Sequence, residues 1–104
     1  MTHLRTIDNS LLETINEVLE SIFGKKSRII IVETMEKKYF LKRSRIGEKL
    51  HVFEDVLRQM FQSGSLIIED LILEKLYAKL NLEFTSQEGY QFSDYIQELR
   101  ETTL

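Results

Sequence analysis

The chain contains no cysteine, no proline and no tryptophan, and only four glycines in 104 residues. Without cysteine it cannot form a disulfide, a thiolate nucleophile or a cysteine-based zinc site. Few glycines and no proline leave few breaks in the backbone, the pattern of long helices joined by short turns. Long apolar runs are also missing: none reaches the roughly 18 residues that a membrane-spanning helix needs. The opening MTHLRTIDNS lacks the basic start and apolar stretch of a secretory leader. A cytoplasmic protein without membrane contact is therefore expected.

Sites of chemistry are equally sparse. The only histidines are His3 and His51, and they share no metal-ligand spacing such as HxxxH or HExxH. Gly24, Gly47, Gly64 and Gly89 stand alone, so no glycine-rich loop can cradle a phosphate. No serine sits in GxSxG or beside a histidine and carboxylate arranged as its base. No metal, no cofactor and no enzymatic activity are expected.

What is present is a globular composition, 42% hydrophobic and 30% charged, on a length suited to one domain over residues 1–104. Residues 1–8 read as a short frayed lead-in, with Asp8 or Asn9 capping a first helix. Leu12, Ile15, Leu19, Ile22 and Phe23 form its helical stripe, and Gly24 is placed to end it. A second element spans Arg28 to Phe40 with Ser27 as its cap. Its opening RIIIV could be a strand, but the length of the segment and the face formed by Ile31, Val32, Met35 and Tyr39 favour helix. Leu41 to Gly47 is a basic connector. A third helix runs from about Glu48 to Gln62, with Leu50, Phe53, Val56, Leu57, Met60 and Phe61 inward and Glu54–Arg58 as an i, i+4 pair. After Ser63-Gly64, with Ser65 as cap, comes the densest apolar run of the chain, LIIEDLILEKLYAKLNL. A loop carrying Phe84, Tyr90 and Phe92 is expected to cover the core. Ser93 then caps a last short helix, supported by Asp94.

The segments MEKKYFLKRSRIGEKLHVFEDVLRQMF, SGSLIIEDLILEKLYAKLNLEF and GYQFSDYIQELRE, in this order, resemble the Nitrosopumilus-type output domain. That family comprises small archaeal helical modules at the output end of signal-transduction chains. The resemblance covers most of the chain and implies a mostly helical regulatory module. It brings no catalytic residues with it.

The expected fold is all-α, a single-domain bundle of about five helices with helix four, about 65–81, central. At about 100° per residue, helix four has two apolar arcs. Ile72, Leu73, Leu76, Tyr77 and Leu80 form the broader one, near Leu66, and Ile67, Ile68 and Leu71 form a second beside Ala78. A helix apolar nearly all round is buried, so the second arc is closed either by the rest of this chain or by a partner. Glu69 falls inside the broader arc, where a buried acid could be perturbed. A first-turn carboxylate favoured by the helix dipole is the simpler reading.

Charge is distributed unevenly. Between Lys25 and Lys49 nine basic residues meet three acids, a local net charge of +6 that leaves −9 for the remainder of a chain whose total is −3. Such asymmetry marks either an internal match or an anionic partner. Two functions follow. The first is a regulatory protein–protein module, self-associating as a homodimer through Ile67, Ile68 and Leu71. The alternative is a nucleic-acid-binding module using Lys37, Lys38, Lys42, Arg43 and Arg45, with Tyr39 or Phe40 able to stack.

Overall fold

The computed structural model describes the backbone of residues 2–102 and the side chains of residues 7–102. Five α-helices and one 3-10 helix follow one another: α1 Thr2–Phe23, α2 Lys25–Tyr39, the 3-10 helix Arg43–Glu48, α3 Leu50–Phe61, α4 Gly64–Lys79 and α5 Phe92–Thr102. No strand occurs among the described residues. The radius of gyration, 13.1 Å, is that of one domain of this length.

The first helix is longer than its expected start near Asp8 and Asn9, and neither residue caps it. It begins at Thr2, and its core stripe is Ile7, Leu11, Ile15, Val18 and Leu19, all buried. Starting the stripe earlier rotates it, which leaves Ile22 at 42% exposure outside the core. Thr14, fully buried on this face, is satisfied by donating its hydroxyl to the Ser10 carbonyl at 2.6 Å. Gly24 separates α1 from α2 with φ 88°, a left-handed backbone that glycine adopts at little cost. Because the turn is a single residue, α2 begins at Lys25 and Ser27 lies inside it instead of capping it.

RIIIV is helical. Only Ile31 and Met35 of α2 are buried, with Val32 and Tyr39 partly so, and Ile29 and Ile30 face outward. The connector after α2 is pinned by Leu41 and Ile46, both buried, on either side of its basic residues.

Helix α4 packs against α1, α3 and α5. Helix α1 touches α2, the 3-10 helix, α4 and α5, so two long helices together organise the bundle. Ile68, Ile72, Leu73, Leu76 and Tyr77 of α4 are buried with Phe53, Leu57 and Ile96 in one core. The aromatic loop closes the far end of that core. Phe84 stands edge-on between Tyr77 and Tyr95, each at 5.3 Å between ring centroids. Phe92 is buried against Phe53 at 5.7 Å. Tyr77 lies on the broader arc, so the loop completes that arc and does not cover the second one.

Helix α5 is fastened at both ends. Near its C-terminus, Arg100 donates to Asp8 Oδ1 from Nε at 3.1 Å and from Nη2 at 2.7 Å, and Nη2 also donates to the Gly47 carbonyl at 2.6 Å. One guanidinium thus ties α5 to α1 and the 3-10 helix, which matches its planar fork of donors. At its start, two carboxylates take backbone donors that the helix cannot satisfy. Asp94 Oδ2 accepts from the Gln91 N–H at 2.8 Å, and Glu54 Oε2, from α3, accepts from the Ser93 N–H at 2.7 Å. The expected Ser93 side-chain cap is replaced by a carboxylate supplied across the core.

Candidate functional site

The outward side of α4 is the first candidate surface. Leu66 is 60% exposed, Ile67 64% and Leu71 38%. Ile68, expected beside them as a partner contact, is instead buried at 4%. The angular count explains the correction: at about 100° per residue Ile68 lies about 40° from Ile72 and about 60° from Leu71, nearer the core arc than the second one. Leu66 shares the azimuth of Leu73 and Tyr77 but stands in the first turn. Azimuth does not say which end of a helix its neighbours cover. Beside this face an open groove of about 300 Å³ runs between α1 and α4, floored by Val18 and edged by Ile22, Leu71, Glu74 and Lys75. Glu17 Oε1, on the α1 side, takes Lys79 Nζ at 2.8 Å and Lys75 Nζ at 3.7 Å. The hydrogen bond from Lys79 is the main cause holding the Glu17 carboxyl below its ordinary range.

The second surface is the basic corner. Lys37 and Lys38 occupy the last turn of α2, and Lys42, Arg43 and Arg45 follow on the segment that forms the 3-10 helix; all five are exposed. Two are offset by acids, Lys37 by Glu33 at 3.5 Å and Arg45 by Glu48 at 2.6 Å. Lys38 Nζ lies 5.5 Å from the Tyr39 ring centre. Arg43 reaches the neutral Asn16 amide, whose oxygen, turned toward the guanidinium, accepts from Nη2 and Nε at 2.7 and 3.0 Å. Phe40 stands among them at 83% exposure.

A polar cluster between α3, α4 and α5 is the third candidate; its members come from segments far apart in the sequence and share no local motif. Glu54 is buried and does not pair with Arg58 as expected; Arg58 turns to Asp55 at 3.2 Å. His51 Nδ1 lies 3.3 Å from Glu54 Oε1 and 3.5 Å from Ser93 Oγ. Serine, histidine and a carboxylate suggest a nucleophile with its base. A relay, however, needs the serine on one ring nitrogen and the carboxylate on the other. Here both approach Nδ1, which cannot accept from the serine while donating to the carboxylate. Ser93 is also buried at 6%, and Glu54 is committed to the Ser93 backbone. The arrangement is a cap. An adjoining hollow of about 260 Å³ includes Arg100 in its wall, but that guanidinium is held by Asp8 and Gly47.

Glu69 belongs to the same region. Because α4 begins at Gly64, Glu69 lies in the second turn and not the first, and it is buried at 8%. Burial, reinforced by the Glu54 charge and opposed by Arg58, pushes its carboxyl up to about 7 from 4.5. The dipole-favoured reading of this residue is therefore overturned. Its place at about 300°, between the core positions Leu76 and Leu73, was the signal.

Of the two histidines, the side chain of His3 lies outside the described residues. No group of three or more metal-ligating side chains occurs among the described residues. No helix among them is long and apolar enough to cross a membrane. Comparison with protein-family models, curated proteins and solved structures found no match.

Proposed function

We propose that this chain is a non-catalytic regulatory module of the signal-output kind, acting by protein–protein contact and pairing with a second copy through the outward face of α4. The observation that carries the reading is the exposure of Ile67 and Leu71 on a helix whose opposite side is core, with Leu66 exposed at its start and Ile22 of α1, at 42%, beside Leu71 along the groove. Scattered apolar side chains on a surface need no explanation, but contiguous ones mark interaction sites. A stable pair buries about 1,200 Å² or more in total, so each copy would contribute about 600 Å² of its 6647 Å² surface. The groove edge carries Glu74 and Lys75, opposite charges that an isologous two-fold contact can match.

Sedimentation of the chain from 5 to 200 μM tests this. A concentration-dependent dimer is expected, and Ile67→Lys with Leu71→Lys should abolish it without lowering the unfolding midpoint. A monomer throughout, or a dimer indifferent to both substitutions, refutes the reading.

A further inference from the structure

We infer that the corner built around Phe40 is a docking site for single-stranded nucleic acid, one base stacking on the Phe40 ring while neighbouring cations take its phosphates. This surface is separate from the α4 face and does not rest on it.

Phe40 does not serve the usual structural purpose of a large aromatic. It is the most exposed of the large hydrophobic side chains described, at 83%, so it contributes little to the core. Its backbone is left-handed, φ 57° and ψ 33°, a conformation that disfavours side chains with a Cβ and that glycine usually supplies at a helix end. The residue is nonetheless held firmly. Its N–H and that of Leu41 both turn back to the Met35 carbonyl, and Leu41 is buried at 1% immediately after it. Ile46 anchors the other side of the 3-10 helix. The ring is therefore presented to solvent by a fixed backbone.

The surrounding charge selects the partner. Among the described residues no carboxylate lies within ion-pair distance of Lys38, Lys42 or Arg43, whereas Lys37 and Arg45 are paired. An exposed ring with three uncompensated cations has the two elements of single-strand recognition, a stacking platform and a phosphate-tracking rim. A duplex offers no free base face to the ring. An anionic membrane calls for a broad apolar face to sink below the headgroups, and here one ring stands out among lysines and arginines. The remaining net charge of −9 confines the contact to this corner.

Anisotropy of a fluorescein-labelled dT12 oligonucleotide, titrated with the full chain in 20 to 200 mM salt, tests the inference. Three phosphate contacts predict a log–log salt slope of about −2. Loss of one stacked base predicts that Phe40→Ala weakens binding about 5- to 150-fold, with Phe40→Trp restoring it; the position is exposed, and circular dichroism verifies the fold. Lys42→Gln with Arg43→Gln should bring the slope to about −0.7. The inference is overturned by no binding at 20 mM salt and 200 μM protein, by Phe40→Ala binding like the parent, or by equal affinity for a dT12·dA12 duplex. Co-sedimentation with phosphatidylserine vesicles in the absence of dT12 binding would also overturn it, assigning the corner to a membrane instead.

Discussion

Glu69 makes the stability of this fold depend on pH in a direction opposite to most carboxylates. Its carboxyl is pushed to about 7 in the folded chain, chiefly by burial and then by the neighbouring Glu54 charge. The unfolded chain returns it to about 4.5. Between those values the native state holds a proton that the unfolded state has released, so stability falls as pH rises. The contribution is complete below about pH 4.5 and is lost as pH passes through about 7. At full value the difference amounts to about 3 kcal/mol. Solvent screening at this incompletely enclosed site brings the expected loss to about 2 kcal/mol. Glu69→Gln retains the shape without the charge, and urea unfolding of both proteins from pH 5 to 9 isolates the effect. The two should be nearly equally stable at pH 5, and the variant should be about 2 kcal/mol more stable at pH 8. A stability difference that is the same at pH 5 and pH 8 would refute the argument.

The other contacts of α5 and the basic corner can be tested in the same way. Glu54→Ala leaves the buried Ser93 N–H without its acceptor, which should cost about 2 kcal/mol at pH 6 and speed hydrogen exchange in α5 more than in α1. Gly47→Ala would place a Cβ 3.2 Å from Asp8 Cγ and 3.4 Å from Arg100 Nη2. The crowded ion pair must shift, so a loss of about 1–3 kcal/mol is expected in denaturant unfolding, with unchanged stability refuting the clamp. Phe40→Gly should raise stability by up to about 1 kcal/mol by relieving the left-handed backbone, read as a higher urea midpoint. A lower midpoint would show that the ring packs in solution.

The all-helical architecture could be read from the chain because several signals agreed. Apolar spacing near 3.6, the isolated glycines and the missing proline all pointed to helices ending near residues 24, 40 and 62. The RIIIV segment shows why agreement mattered: β-branching alone points to a strand, and only the length of the surrounding pattern corrects it. Caps were less legible. Ser27, Ser65 and Ser93 each look like an N-cap, yet no side-chain cap hydrogen bond is made at the starts of α2 and α4. Helix α5 has Asp94 as a local acceptor for the Gln91 N–H but takes the acceptor for its Ser93 N–H from Glu54, 39 residues away. A cap supplied across the core leaves no trace in local spacing. The same holds for Asp8 and Arg100, 92 residues apart, one of which looked like a helix start.

Residues that break a local rule divide into two groups once their surroundings are known. Glu54 and Thr14 are polar groups in the core, and each is matched to a specific donor or acceptor, so the rule is broken locally and restored by tertiary structure. Ile67 and Phe40 have no such restoration. Ile67 is an exposed β-branched residue on a helix that already fills the core with five other side chains, and Phe40 holds an unfavourable backbone angle without packing in return. A sequence under pressure for stability alone would place a charge at the first and a glycine at the second. Conflicts between local preference and fold that no internal contact resolves are expected where a surface serves a partner. These two positions lie on different faces, α4 and the end of α2. Because of that separation, pairing through α4 as proposed would leave the Phe40 corner uncovered.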